Sequence, residues 1–226
     1  MGILPKETDS IYFDALQEVS NIGLGNAATA LSELLNRRVD ISVPRAKFMD
    51  LEEVMDLFDD LGEVAACISL AMEGDINGSI IYIFTQKSIF TLIDMLMGQE
   101  IGTTSELDFM GESAAMEIGN IMSGSFMNAI GAMTGLLLNA TVPMFACDML
   151  GAIFSSSILA SGQYSERIMV IETVFYPEEA QIKGHFFLLP EADSLDRLFE
   201  ALGLPVETNQ LDKGENDFEQ SDHDRG

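Results

Sequence analysis

The chain has 226 residues, with 37 acidic and 11 basic side chains, a formal charge of −26 and a hydrophobic content of 47%. This length and apolar content are typical of a globular protein with a proper core. Nucleic acid and anionic membrane surfaces are excluded as expected partners, because affinity for phosphates comes from clustered Lys and Arg side chains.

The excess of acid predicts a surface coated with carboxylates, since the apolar content is too high for a disordered chain. Repulsion among these charges destabilises the compact state unless salt screens it. We therefore expect adaptation to high salt, and a melting temperature that rises as salt is added. A melting temperature that stays level or falls across a salt series would contradict this hypothesis.

The cysteines, the N-terminal residues and one long uncharged segment argue against a zinc site, a secretory signal and a membrane span, respectively. Cys67 and Cys147 belong to no CxxC motif, so two buried free thiols are expected rather than a zinc site. The N-terminus has no basic region followed by an apolar stretch, and the expected location is the cytoplasm. Residues 118–147 carry no charge, but the polar residues among them and Pro143 favour a buried helix and a strand over membrane insertion.

The first half of the chain alternates between helical and extended patterns. Apolar side chains at helical spacing predict a long helix over residues 9–36. A short strand over Val39–Val43 follows and is expected to stop at Pro44. The remaining predicted elements are a brief acidic helix, two antiparallel strands and a closing helix, over residues 50–60, 63–73, 78–84 and 87–98.

The second half predicts the same kinds of element. Capping-box spacing over Ser105–Asp108 indicates the start of a second long helix, which runs to about Leu138. Three strands and a closing helix are expected over residues 151–160, 169–175, 185–189 and 194–203. The apolar segment 144–154 is either core or a partner surface, and core is favoured. Residues 205–226 are acidic and nearly free of apolar side chains, which predicts a disordered tail.

The two halves share one polar motif. Each copy has an acid or Ser, a Glu, an Asn and a Pro at fixed spacing, and the second copy follows the first by 99 residues: Asp14, Glu18, Asn21 and Pro44, then Ser113, Glu117, Asn120 and Pro143. We interpret the motif as an internal duplication, with repeats over residues 1–101 and 102–204 that together form one compact domain.

The motif places its polar groups on one helix face, because the spacing i, i+4, i+7 and i+11 follows the helical repeat. An Asn carboxamide offers both a donor and an acceptor, so it can orient a water for attack, while Glu can bind a cation on a partner. Acyl-phosphate hydrolysis depends mostly on positioning and charge neutralisation, so one Asn suffices if the substrate protein supplies the metal. The alternative is an ordinary exposed face, in which Gly25 and Gly124 permit close packing.

The doubled motif resembles the CheC family of chemotaxis phosphatases, which is related to CheX, to FliY and, more distantly, to FliM. The resemblance implies an α+β fold with a pseudo-two-fold axis, in which two long helices pack on a continuous antiparallel sheet. It implies hydrolysis of the aspartyl phosphate of the response regulator CheY. It also implies that Glu18 and Glu117 anchor the regulator and that Asn21 and Asn120 position the attacking water. The chain then needs no cofactor or metal of its own, because the regulator supplies Mg²⁺.

Two other functions stay open. One is an adaptor that binds the receptor deamidase CheD or the regulator with little turnover, since members of this family often bind CheD. The other is a structural part of the flagellar switch, which the kinship with FliM favours. FliM, however, lacks the Glu-x-x-Asn pair, which occurs twice in this chain.

Overall fold

The computed structural model describes residues 10–160, 168–177 and 182–206. Within these ranges the helices and strands follow one another as α1 (Ser10–Leu35), β1 (Val39–Met49), α2 (Leu51–Met55), β2 (Val64–Gly74), β3 (Gly78–Thr85), α3 (Gln86–Leu96), α4 (Phe109–Thr134), β4 (Leu138–Ala140), β5 (Met144–Met149), α5 (Leu150–Ala160), β6 (Ile168–Pro177), β7 (Ile182–Pro190) and α6 (Ala192–Ala201). The long helices and both closing helices are confirmed to within a few residues.

All described strands join one sheet, in the order β1-β6-β7-β3-β2-β4, with β5 also paired to β2. Every pairing is antiparallel. The two halves of the chain alternate across this sheet: β3 meets β7 at the centre, while β1 and β5 each pair with a strand from the opposite half. The predicted α+β class with a continuous antiparallel sheet is therefore confirmed.

The central strand β3 is buried on both faces. Ile80, Tyr82 and Phe84 belong to the main core beneath α1, α4, α3 and α6, whereas Ile81 and Ile83 belong to a smaller core beneath α2 and α5. A strand covered on both sides is apolar at every position instead of alternating. The two long helices thus rest on one sheet face, as the resemblance implies, and the short helices cover the other.

The element order of the second half follows that of the first. Helices α1 and α4 have 26 residues each, and their first residues, Ser10 and Phe109, are separated by the same interval of 99 as the two motif copies. Helix α1 is followed by the edge strand β1, and α4 by two shorter edge strands, β4 and β5. A short helix, two inner strands and a closing helix then complete each half. The duplication and its repeat boundaries stay a prediction about how this arrangement arose.

The strand after α1 does not stop at Pro44, which corrects the sequence prediction. It continues to Met49 along the sheet edge, and its register with β6 shifts between Ser42 and Arg45. Pro44 lies at this bulge, where the missing N–H breaks no ladder hydrogen bond. Pro143 lies in the matching break between β4 and β5, so each motif ends at an interruption of an edge strand.

The segment predicted as a strand over residues 151–160 is the helix α5. Leu150, Ile153 and Phe154 are buried at spacing i, i+3 and i+4, which is helical. A short apolar run such as that over residues 150–154 does not distinguish a strand from a buried helix by periodicity, and this ambiguity explains the error. Core was the wrong expectation for β5, where Met144 and Met149 are exposed because β5 lies at the sheet edge.

The ends of two helices also differ from the predictions. Helix α4 begins after Asp108, whose side chain accepts the Gly111 N–H at 2.8 Å, and it ends at Gly135, which has a φ of 75°. Ser105 is therefore not the cap. The acidic helix α2 ends at Met55 instead of residue 60, although Asp50 caps it as part of a complete capping box.

The described surface is acidic, as predicted. Of the carboxylates whose burial is described, Asp94 is buried and Asp196 is half-buried, while the others are exposed. Cys67 is buried but Cys147 is exposed on β5, so the expectation of two buried thiols is wrong for Cys147. In the part of the chain that the structure describes, no helix is long and apolar enough to cross a bilayer.

The predicted tail is described only at its start. The Tyr12 hydroxyl of α1 donates a hydrogen bond to the Pro205 carbonyl, and Val206 is half-buried against the main core. Residues 207–226 lie outside the described residues.

Asp94 is a buried acid that organises the connection between the two halves. Its carboxylate accepts the backbone N–H groups of Gly102, Thr103 and Thr104 at 2.7, 3.1 and 2.8 Å. Burial acts to raise the pKa of the Asp94 carboxyl, but the hydrogen bonds from Thr104 and its neighbours outweigh burial and hold the pKa below its ordinary value.

We expect Asp94→Asn to lower the free energy of unfolding by about 1 to 2 kcal/mol at neutral pH, because a carboxylate is the stronger acceptor. The folded-state pKa lies below the unfolded-state pKa, so this contribution is present above about pH 4 and is lost as the pH falls through the folded-state value. Urea unfolding at neutral and acidic pH measures both effects. The exposed Asp59→Asn is the control, and equal losses in the two variants would contradict the assignment.

Candidate functional site

The predicted Glu and Asn side chains lie on the solvent-exposed faces of the two long helices. Glu18 and Asn21 on α1 and Glu117 and Asn120 on α4 are all exposed. Glu and Asn of each pair are separated by about 4.5 Å along the helix axis, and they point in similar directions. The structure therefore presents one Glu–Asn pair on each helix, open to solvent.

The four side chains are not tied into an internal network. Across the described ranges, no hydrogen bond or ion pair is formed by any of them, and the ion pair between Arg38 and Asp40 lies elsewhere. Within the described residues nothing satisfies the polar atoms of these side chains, so they are available to solvent or to a docking partner.

The first position of the motif differs between the two copies. Asp14 is exposed on the same face as Glu18 and adds a second negative charge to α1. Ser113 is half-buried, and its hydroxyl donates to the Phe109 carbonyl of the preceding turn at 2.9 Å. The α1 face is therefore the more negative one, and the Ser113 hydroxyl is engaged by its own helix.

The motif glycines do not mediate close packing. A Cβ atom on Gly25 or Gly124 would have no neighbour within 4 Å, so the packing role considered for them is wrong. Sequence reasoning missed two glycines of the long helices that pack closely against other elements. A Cβ on Gly23 would lie 2.9 Å from the Phe126 backbone of α4, and one on Gly119 would overlap Ile68 of β2.

These close contacts position the two helices that carry the candidate site. Gly119 precedes Asn120 and brings α4 directly onto the sheet, while Gly23 brings α1 against α4 two residues after Asn21. Nothing in the sequence separates them from Gly25 and Gly124, because all four occur in helical segments rich in small residues. Only the packing partners distinguish the two sets.

A buried hydrogen bond fixes α4 further. The Tyr82 hydroxyl at the centre of the sheet lies 3.1 Å from the Ser123 hydroxyl, one turn after Asn120. Burial raises the pKa of Tyr82, and the hydrogen bond with Ser123 opposes this only in part. Tyr82 therefore stays protonated over the physiological pH range, and its hydrogen bond ties α4 to the sheet one turn after Asn120.

The motif prolines do not belong to the helical faces. Pro143 is buried between β4 and β5, and Pro44 lies in the backbone of β1. The structure thus brings the Glu and Asn of each copy together and places the Pro in the following edge strand. Among the described residues, no group of three or more His, Cys, Asp or Glu side chains is placed to hold a metal ion.

Comparisons with known proteins match both helices of the site. Residues 13–47 match the CheC-like family, and residues 64–157 match the chemotaxis phosphatase CheX. The chain is 38% identical over 197 residues to the CheY-P phosphatase CheC of Bacillus subtilis, which covers 85% of this chain and 94% of that protein. It is 32% identical over 113 residues to the flagellar motor switch phosphatase FliY of the same organism, covering 50% of this chain and 29% of that protein.

A solved structure shows the same architecture. FliY from Thermotoga maritima superposes with a TM-score of 0.73 at 23% identity, and the superposition covers 90% of this chain and 98% of that chain. At this identity the likeness concerns the fold.

Proposed function

The chain belongs to the CheC family of phosphatases, and we propose that it hydrolyses the aspartyl phosphate of a CheY-type response regulator in the cytoplasm. The observation that carries this proposal is the exposed Glu–Asn pair on each long helix. The similarity to a CheY-P phosphatase over most of the chain supports the choice of substrate. The acidic docking faces fit a partner that presents a cation beside its phosphorylated Asp.

In the proposed reaction, Asn21 or Asn120 holds a water in line with the bond between phosphorus and the aspartyl oxygen. The carboxamide oxygen accepts a hydrogen bond from the water and its N–H₂ group donates to a phosphoryl oxygen, which fixes the geometry of attack. The water oxygen forms the new bond to phosphorus, and the aspartyl oxygen leaves as a carboxylate with inorganic phosphate as the other product.

Glu18 and Glu117 have a different role in this proposal. Each carboxylate binds a cationic side chain of the regulator and sets the register in which the Asn enters the phosphorylation site. The Mg²⁺ bound by the regulator supplies charge neutralisation at the phosphoryl group. Hydrolysis by this route requires no metal ligand from the chain itself.

The test is phosphate release from the cognate phosphorylated regulator, with Mg²⁺ in high salt, in the presence and absence of this protein. The proposal expects release to accelerate in proportion to the amount of protein added. A rate equal to that of the regulator alone would overturn it.

A second candidate function is favoured by the exposed apolar residues of the β5 edge. Met144 and Met149 are exposed there, as a partner surface would require. We propose as the alternative an adaptor that binds the deamidase CheD, or the regulator, with little turnover. Stable co-elution with either partner, without accelerated phosphate release, would favour the adaptor over the phosphatase.

A further inference from the structure

Each Glu–Asn pair is accompanied by an exposed apolar side chain at an equivalent position of its own helix. Ile11 of α1 and Met110 of α4 lie seven residues before Glu18 and Glu117, and each is 54% exposed. Seven residues are almost two full helical turns, so each apolar side chain lies within about 20° of its Glu around the helix axis. The apolar and polar groups therefore share one face.

Repetition on the face that carries the Glu and the Asn separates these residues from ordinary surface hydrophobics. Single exposed apolar side chains are common and carry no information alone. Here the apolar character and the exposure recur at corresponding positions of two helices, and in both cases the side chain continues the face that carries the Glu and the Asn. A protein that docks along either helix would cover it.

The charge of the chain gives such a contact a physical role. Attraction between Glu18 or Glu117 and a cation on the partner weakens as salt screens exposed charges. Burial of apolar surface is not screened and is strengthened by excluded salts. A docking face with both kinds of group therefore keeps part of its affinity when its electrostatic part is lost.

We propose that Ile11 and Met110 are positioning residues that pack against the regulator when it docks on α1 or α4, and that they supply the salt-resistant part of its affinity. This inference rests on the proposed phosphatase function. The two residues contact the docked protein and touch neither the water nor the phosphoryl group, so their effect falls on binding.

The experiment isolates each site. Ile11→Ser is measured in a chain whose second site is silenced by Asn120→Ala, and Met110→Ser in a chain with Asn21→Ala. We expect the KM for the phosphorylated regulator to rise roughly three- to tenfold, as partial burial of one such side chain allows. We expect kcat to stay unchanged, because the lost contact stabilises the bound regulator and the transition state equally.

The chain offers a matched control. Leu34 and Met133 occupy corresponding positions near the ends of α1 and α4, and they are 43% and 40% exposed. Leu34 lies about 160° around the helix from Glu18, on another face. Leu34→Ser and Met133→Ser, in the same single-site backgrounds, are expected to leave KM unchanged, and thermal melts check that all four variants are folded.

A salt series distinguishes the apolar contact from a charge effect. The KM increase caused by Ile11→Ser is expected to persist at high salt, whereas the increase caused by Glu18→Gln shrinks as screening grows. The inference is overturned if an active parent shows no KM increase, if kcat falls instead, or if the controls behave like Ile11→Ser. A wild-type chain that fails to accelerate release would overturn the proposed function itself.

Discussion

Replacement of both Asn21 and Asn120 by Ala is expected to return phosphate release to the rate of the regulator alone. Loss of the group that orients a reacting water typically costs on the order of 100-fold. We expect the double variant to remain folded, because both side chains are exposed and neither makes a hydrogen bond within the described residues. The loss of phosphate release would then come from the missing carboxamides. Ala also has a higher helix propensity than Asn.

Single-turnover phosphate release and a thermal melt together measure this result. Each single variant is expected to retain the contribution of the other helix, so the two singles report the share of each site. Asn26→Ala, five residues after Asn21 on another side of α1, and Asn139→Ala on β4 are the controls. A double variant as active as the wild type would show that the Asn residues are not catalytic.

The Gly119→Ala variant is expected to lose about 2 to 3 kcal/mol of unfolding free energy. The new methyl group would overlap Ile68, a fully buried and β-branched side chain of β2 that has little rotamer freedom. Helix α4 or the strand must therefore move. Because Asn120 follows directly, we also expect a reduced rate from the α4 site even where the variant remains folded.

Gly124→Ala is the matched control, five residues later on the same helix. Its Cβ would meet no atom within 4 Å, so the variant is expected to gain about 0.5 to 1 kcal/mol from helix propensity. Urea unfolding of the two variants gives effects of opposite sign if the packing is as described. Destabilisation by both, or by neither, would contradict the close contact between α4 and the sheet.

Helix positions and the candidate site could be predicted because their signals are local and occur twice. Apolar periodicity locates α1 and α4, and the polar motif indicates which helix face is exposed, so the sequence alone predicts that Glu18 and Asn120 lie on exposed helix faces. The resemblance to a known family added the packing of the two long helices on a continuous antiparallel sheet. These features depend on residues close together in sequence.

The features that sequence reasoning missed depend on packing partners, on loop geometry, or on a period that a short segment does not reveal. Gly119 and Gly124 differ only in what lies across from them, and Asp94 acts on backbone groups whose position follows from the turn after α3. The sequence predicts a strand in place of helix α5 because the apolar run over residues 150–154 is too short to show a helical period. Its counterpart α2, which has a clear capping box, is the signal that could have corrected it.

The alternation of the two halves across the sheet has consequences for folding and for the evolution of the two Glu–Asn faces. Edge strand β1 pairs with β6, so Met49 meets Ile168, and β5 pairs with β2 in the reciprocal exchange. Such pairings give a high contact order, which slows folding, because long chain loops must close before the sheet is complete.

Neither half of the chain can satisfy the hydrogen bonds of its strand edges alone. The two helices that carry the proposed sites are therefore coupled in stability, and a chain of this fold that lost one Glu–Asn pair would still have to keep the half that carries it.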